Sequence, residues 1–360
     1  MNQKILVAMS GGVDSSVAAA LLVEQGYEVA GATIRTWASN TCVKRNTRAC
    51  CGLTGVEDAR EVAEKLGIRY WVFNFEDEFK RHVVDYFASE YLKGRTPNPC
   101  ITCNEHIKFR LFLKRARQLG FDAIATGHYA KLGRDEATGH SYIEEAEDPT
   151  KDQSYVLFPL EQDVLAHLHL PIGRFRKTQI REKARALGLS SVMEKPDSQE
   201  ICFIPSNDHG TFLEREFGAP KHEGVIRTRE GKILGTHSGF YQFTRGQRQG
   251  LGVAYSERLY VLETIPETNE VIVGTKEEVL DLEFRVSRVN WFSNPHGKNF
   301  SAFVKIRSQH RKAPATVEVL NEQQAKIRFE EPQEAVTPGQ AAVFYDGKKV
   351  LGGGWIDGSR

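Results

Sequence analysis

Two sets of residues in this chain carry chemistry on their face. The first is Ser10-Gly11-Gly12-Val13-Asp14-Ser15, which follows the apolar run Lys4–Met9. A strand that breaks into Ser-Gly-Gly and re-enters the chain as a helix turns hydroxyls and backbone N–H groups towards one point. That point lies at the positive end of a helix dipole and suits an anion, most often a phosphate. The glycines let a ligand approach the backbone closely. The reading starts the helix at the hydroxyls Ser15 and Ser16 and runs it through Val17, Ala18, Leu21 and Leu22.

The second set is sulfur: Cys100-Ile-Thr-Cys103 directly after Thr96-Pro97-Asn98-Pro99, and Cys202 within Ile201-Cys-Phe-Ile204. A C-x-x-C pair can be a redox couple, half a zinc site or an iron–sulfur ligand pair. No second close pair follows with zinc-knuckle spacing. The reading puts Cys103 at the start of a basic helix (Lys108, Arg110, Lys114, Arg115, Arg117), where the dipole and the cations favour thiolate. Cys42, Cys50 and Cys51 fall in a polar loop, read as incidental thiols. In a large chain with six cysteines, all in its first 202 residues, thiol chemistry or a metal explains the usage better than structural disulfides.

The elements that must position these groups alternate. Expected strands at 28–34, 70–73 and 121–126 are interleaved with expected helices at 56–66, 79–91 and, rich in positive charge, 174–188. That alternation means βαβ units and a buried parallel sheet, with ligands beyond the carboxyl ends of its strands. A polar hairpin is expected over 133–150. After about Phe217, short β-type runs separated by Gly, Asn, Asp and Pro take over. The fold class expected is therefore α/β: an N-terminal parallel-sheet phosphate-loop domain over 1–217, a small central domain over 218–280, and a C-terminal β-barrel or sandwich over 281–360.

The 360 residues, 40% hydrophobic and 26% charged, describe a soluble globular protein of two or three domains. No apolar run approaches the roughly 20 residues that cross a bilayer, and no signal-peptide pattern opens the chain, so a cytoplasmic location and no membrane partner are expected. The net charge of +1 says little about nucleic acid, but its placement says more. Besides the two basic helices, Lys305-Ile-Arg307-Ser308 with His310, Arg311 and Lys312 reads as a basic β segment suited to phosphates.

The serine–glycine turn, with Asp14 and without a Walker lysine, resembles the PP-loop of ATP pyrophosphatases. These enzymes split ATP between the α and β phosphates and adenylylate an acceptor. Further stretches are similar to the bacterial tRNA 2-thiouridylase family: Gly94-Arg-Thr-Pro-Asn-Pro99, Cys103-Asn104, Ala125-Thr-Gly-His-Tyr129, Lys151-Asp-Gln-Ser-Tyr155, Asp197-Ser198, Ile201-Cys-Phe-Ile204, Gly246-Gln-Arg248 with Gly250-Leu-Gly252, and Thr337-Pro-Gly-Gln340 with Gly352-Gly-Gly354. Together they span the chain in order.

The resemblance implies an adenine nucleotide alpha hydrolase-like first domain and a tRNA-uridine 2-sulfurtransferase. AMP is placed on the C2 oxygen of the wobble uridine in tRNAs for Glu, Gln and Lys, and sulfur then displaces it. Residues Ala8, Met9, Ser10, Gly11, Gly12, Val13, Asp14 and Ser15 would hold ATP, with backbone contacts from Ile34 and Gly127, and Mg2+ would accompany the phosphates. Cys202 would carry a persulfide taken from a sulfur-relay protein or a cysteine desulfurase. Cys103 would attack that persulfide, freeing sulfide or leaving a Cys103–Cys202 disulfide. Pro97, Asn98 and Pro99 would meet the target base; His128, Lys151, Asp152, Gln153, Arg307, Ser308 and Gln340 would contact tRNA.

Many members carry aspartate, given an acid–base role, where this chain has Cys100. The substitution creates a trio, Cys100, Cys103 and Cys202, that could ligate a [4Fe-4S] cluster delivering sulfide instead. Two other readings compete. One is a PP-loop synthetase that adenylylates a small molecule, and the other is a tRNA-binding module with a vestigial ATP loop.

Overall fold

The computed structural model describes residues 2–37, 53–136, 138–189, 201–204, 208–292 and 297–358. Cys42, Cys50, Cys51 and the Asp197-Ser198 pair lie outside these. The chain divides into two compact units. The first comprises residues 1–84, 100–205 and 347–351; the second comprises 85–99, 206–346 and 352–360.

The first unit is built on β1 (Lys4–Ala8), α1 (Val13–Glu24), β2 (Glu28–Arg35), α2 (Leu53–Lys65), β3 (Arg69–Asn74) and β4 (Ala123–Thr126). A hairpin, β5 (Ala130–Arg134) and β6 (Ser141–Glu145), precedes the short β7 (Leu168–His169). The five-stranded sheet is parallel, in order β3-β2-β1-β4-β7. Its centre, β1, is covered on both faces, which is why Ile5, Leu6 and Val7 are all apolar and show no exposed surface. Burial of each stabilises the unit by about 2 kcal/mol. Helix α1 packs Val17, Ala18, Leu21 and Leu22 into the same core. The strand order reverses between β1 and β4, so the loops leaving these two strands diverge and open a crevice at their carboxyl ends.

Three helices differ from the expected form. α1 begins at Val13, with Gly12 as its cap, so Ser15 and Ser16 lie inside the first turn and not before it. The basic helix begins at Pro99, runs through Cys103, widens to π geometry over Asn104–Leu111 and returns to α over Phe112–Gln118. Proline has no N–H to lose at a first helical position and has φ preset there, so the Asn98-Pro99 step starts the helix one turn before Cys103. The second basic helix is shorter than expected, Lys177–Ala186.

In the second unit, β8 (Gly224–Arg227), β9 (Ile233–His237), β10 (Tyr260–Ile265) and β11 (Glu270–Gly274) form a four-stranded sheet in order β10-β11-β8-β9. Then come β12 (Leu280–Trp291), β13 (Asn299–Lys305), β14 (Ala313–Asn321), β15 (Gln324–Glu334), β16 (Ala341–Asp346) and β17 (Lys349–Gly358). They run β12-β15-β14-β13-β16-β17 and close through β12–β17 pairing into a six-stranded barrel, which settles barrel over sandwich. Alternation puts Val304, Val317, Ile327 and Phe329 inside, where the Phe284 ring packs tilted against Phe329 with centroids 5.6 Å apart. The stretch 306–312 is a turn between β13 and β14, not the basic strand expected, since pairing ends at Lys305 and resumes at Ala313.

Candidate active site

The loop after β1 is fixed from below and beside. Met9 is buried, and its carbonyl accepts the Thr33 hydroxyl of β2 at 2.6 Å; Thr33 in turn accepts the Tyr70 hydroxyl of β3 at 2.6 Å. Ser10 N–H donates to Ser15 Oγ at 3.2 Å, and the hydroxyls of Ser15 and Ser16 both reach the Gly12 carbonyl, at 3.2 and 2.9 Å. The turn needs glycine at 11 on two counts. Its φ is +71°, and a Cβ there would sit 2.3 Å from the Gly55 carbonyl oxygen. Gly127, at the end of β4, lies so close to the start of α1 that a Cβ would be 2.6 Å from Ser15 N. Helix geometry gives the N–H groups of Val13, Asp14 and Ser15 no carbonyl of α1 to donate to, while Ser16 N–H reaches Gly12 O at 3.3 Å. Ala8 is the last residue of β1, and Ile34 is the last but one of β2.

Asp14, in that first turn, is held by side chains from distant parts of the sequence. Lys177 Nζ donates to both carboxylate oxygens, at 2.9 and 2.8 Å, and the Tyr129 hydroxyl donates to Oδ1 at 2.6 Å. Lys177 is 7% exposed and its ammonium also stands 5.7 Å from the Tyr129 ring centroid. Its placement starts with Asp148, whose Oδ2 accepts the Lys177 N–H at 3.0 Å. That bond, followed by the Thr150 hydroxyl, holds the Asp148 carboxyl below its usual range. Gln153 clasps Tyr129 from the same loop: its Oε1 accepts Tyr129 N–H at 2.9 Å, and its own N–H donates to Tyr129 O at 2.8 Å. Asp152 stabilises the turn by accepting Ala146 N–H and the Ser154 hydroxyl. Lys151–Gln153, expected at tRNA, is thus connected through Tyr129 to the carboxylate of the phosphate loop.

His128 is buried between Phe109, 5.3 Å away ring to ring, and the Thr126 hydroxyl at 2.8 Å from Nδ1. Burial, reinforced by Lys108, pushes its pKa down to about 3. The unfolded imidazole therefore binds a proton that the folded one refuses between about pH 6.5 and 3. This contribution to stability is complete above pH 6.5 and declines as pH falls, by up to about 1.4 kcal/mol per pH unit. Urea midpoints at pH 7, 6 and 5 should fall less steeply in His128→Gln than in the parent; equal slopes would show that the ring is protonated without cost.

The three described cysteines differ in access. Cys100 is exposed, Cys103 buried at 8% and Cys202 half-buried. Phe203 anchors the Cys202 stretch, packed 5.8 Å from Phe79 and 6.3 Å from Trp37. In the second unit, Pro97 and Pro99 are buried and Asn98 half-buried. Gln340 Nε2 donates to the Thr96 carbonyl at 2.9 Å. Arg307 and Ser308 are exposed on the 306–312 turn, with Arg307 Nη1 on the Glu334 carbonyl at 3.1 Å. They are not joined to the Gln340 contact.

Known protein families match the chain in three consecutive stretches. Family models described as the tRNA methyl transferase HUP domain, the tRNA methyl transferase PRC-barrel domain and the aminomethyltransferase beta-barrel domain match residues 3–206, 210–275 and 282–356. The tRNA-specific 2-thiouridylase of Geobacter metallireducens is 49% identical over 358 residues, 99% of this chain and 97% of that one. The chain belongs to the tRNA-specific 2-thiouridylase family. Its relative from Carboxydothermus hydrogenoformans is 47% identical, covering 99% and 98% of the two chains, and that from Clostridioides difficile 44%, covering 100% and 99%. A solved 4-thiouridine synthetase–RNA complex with bound ATP resembles 59% of this chain and 49% of its own, at 21% identity and a TM-score of 0.39.

Of the expected ATP residues, the contiguous Ala8–Ser15 and Gly127 come together around one loop, and Lys177 joins them from outside the expected set. As one of four cations on a basic helix capped by a fifth, Arg176, it carries no sequence signal that it turns inward; only its place at the first helical position, beside Asp148, distinguishes it. The cluster expectation fares differently. Among the described residues no three His, Cys, Asp or Glu side chains are grouped to hold a metal ion, so Cys100, Cys103 and Cys202 as placed do not fit a [4Fe-4S] cluster. Pro99 explains part of this: it puts Cys100 on the exposed first turn while Cys103, one turn on, is buried. No described helix is long and apolar enough to cross a membrane.

Proposed function

We propose that this protein uses ATP to replace the C2 oxygen of the wobble uridine of tRNA with sulfur. One observation carries the reading: a glycine-lined phosphate loop and the thiols Cys103 and Cys202 belong to the same compact unit of a chain that matches tRNA-specific 2-thiouridylases from end to end. The family descriptions speak of methyl transfer and the relatives' names of thiolation. The Ser10–Ser15 turn and the Asp14–Lys177 pair suit phosphates, and that supports thiolation.

A uridine C2 oxygen is a poor leaving group. In the proposed reaction it attacks the α-phosphorus of ATP, and pyrophosphate departs. The α1 terminus meets the phosphate charge, and Asp14 is the carboxylate that would help hold Mg2+, an ion that would spread charge on the departing pyrophosphate. Sulfur then attacks C2, and AMP leaves with the former uridine oxygen. Cys202 accepts the sulfur as a persulfide from a relay protein or a cysteine desulfurase. Cys103 thiolate attacks the inner sulfur, the S–S bond breaks, hydrosulfide is released to C2, and a Cys103–Cys202 disulfide remains. A cellular dithiol returns the two electrons. Pro97, Asn98 and Pro99 receive the unstacked base; His128, Lys151, Asp152, Gln153, Arg307, Ser308 and Gln340 make up the tRNA footprint. The domain boundaries 217/218 and 280/281 fit this division of labour, and the setting is the cytoplasm, where tRNA and ATP meet.

The test combines protein, ATP, Mg2+, a persulfide or sulfide source and tRNA bearing wobble uridine, followed by nucleoside mass spectrometry. 2-Thiouridine, AMP and pyrophosphate should form in equal amounts and only with tRNA present. ATP cleavage that ignores tRNA, with no 2-thiouridine from either sulfur source, would move the protein to the small-molecule synthetases.

A further inference from the structure

The stretch Gly94–Pro99 leads straight into the helix that carries Cys103, yet its hydrogen bonds run to residues far away in sequence. All the contacts lie within the second unit. Thr96 N–H donates to the Pro338 carbonyl at 2.8 Å, and the Thr96 carbonyl accepts Gln340 Nε2 at 2.9 Å. Both backbone groups of one residue are thus held by a single turn, 337–340, which itself closes through Gln340 N–H to Thr337 O at 3.1 Å. Gly339 in that turn has φ +90°, and a Cβ on it would lie 3.0 Å from both Thr96 N and Thr96 O. One residue earlier, Arg95 Nη2 donates to the Ile356 carbonyl at 3.0 Å, and its Nε stands 2.8 Å from Glu90 Oε2. One earlier still, Gly94 O accepts the Thr264 hydroxyl of β10 at 3.2 Å, and a Cβ on Gly94 would lie 2.8 Å from that hydroxyl.

Three consecutive residues, 94 to 96, are therefore held by the central sheet, the last strand and the turn before β16. Three residues later the chain is a helix. An extended tripeptide spans only about 10 Å, so fixing Thr96 fixes where Asn98 can be.

We propose that the Thr337–Gln340 turn and Thr264 are positioning elements that set the Pro97-Asn98-Pro99 loop for the target base. Gln340 then acts on the reaction through Thr96 and not only as a contact to RNA. This inference rests on the function proposed above.

Binding and turnover separate the two roles. At saturating tRNA and ATP, Gln340→Leu and Gly339→Ala should each slow single-turnover 2-thiouridine formation at least tenfold, and Gly339→Ala should do so with a tRNA dissociation constant within twofold of the parent. Thr264→Val should slow it in the same sense, and Thr264→Ser, which keeps the hydroxyl, should restore the parental rate. A Gln340→Leu enzyme with weaker tRNA binding but an unchanged saturated rate would overturn the inference. Amide exchange of Thr96, measured without substrates, reads the clamp even where the reaction is absent. It should accelerate at least tenfold in Gln340→Leu while exchange in β1 stays constant; parental exchange at Thr96 would also overturn the inference.

Discussion

Cys103→Ser is expected to lose 2-thiouridine formation by at least a hundredfold while retaining tRNA-dependent pyrophosphate release at close to the parental rate. The proposed chemistry assigns the thiol to sulfur release and not to activation, and the structure makes the substitution mild. Cys103 is 8% exposed and has helical backbone angles where the helix passes from α to π geometry, and serine keeps its size and accepts that backbone. What changes is the nucleophile. A serine hydroxyl is essentially un-ionised at neutral pH and does not open an S–S bond, whereas a thiol with an ordinary pKa near 8.5 already supplies a few per cent thiolate. Activation without sulfur transfer should leave adenylylated tRNA, visible as AMP retained on RNA from α-labelled ATP. Cys100→Ser serves as the counterpart: its exposed thiol has no part in the proposed sequence, so parental yield is expected. A large loss in Cys100→Ser with parental yield in Cys103→Ser would reverse the roles of the two thiols and sink the persulfide scheme.

The second large effect should come from Lys177→Met. It removes two charge-assisted hydrogen bonds to Asp14, at 2.8 and 2.9 Å, and among the described residues leaves the Tyr129 hydroxyl. Such bonds contribute on the order of 2 kcal/mol to stability. Solvent reaches Asp14, whose side chain is 29% exposed, so the low end of that scale applies. Catalysis should suffer more than folding. Once its ammonium is gone, the Asp14 carboxylate stands as an uncompensated negative charge beside a loop that must accept the negative phosphates of ATP. Pyrophosphate release should fall by two orders of magnitude or more, and raising ATP should not restore it. Tyr129→Phe, which keeps the ion pair, should lose no more than tenfold. A Lys177→Met protein that melts normally and releases pyrophosphate at the parental rate would make the pair a stability device only. It would also reopen the reading of the ATP loop as vestigial.

The parts of this molecule legible from residues alone are those dictated by neighbours in the chain. β1 betrays itself by an unbroken apolar run, because a central parallel strand is covered on both faces. The glycines at 11 and 127 sit where backbone approaches backbone, and no other side chain fits there. Closure of the barrel depends on β12 finding β17 about 60 residues away, and short β runs alone do not distinguish that from a sandwich. The π geometry at Asn104–Leu111 leaves no compositional mark, so the register of the helix carrying the cysteines could not be read. Lys177 is the sharpest case. Its neighbours Arg176, Arg181, Lys183 and Arg185 have the same charge, and only the folded position of Asp14, 163 residues away, selects it. The tRNA and sulfur positions came from resemblance, since single polar residues on turns have no physical signature of their own.

The interleaving of the two compact units bears on how the protein is made. The first unit takes in residues 347–351, where Lys349 pairs with Glu144, and the second takes in 85–99 from the early part of the chain. A ribosome that has released the first 205 residues has therefore not yet released everything the first unit contains. Neither unit has its full complement until β17 emerges, so sequential folding domain by domain, the habit of multidomain chains during synthesis, gives way here to completion only once β17 is made. A premature stop anywhere before Lys349 would cost the catalytic unit as well as the barrel.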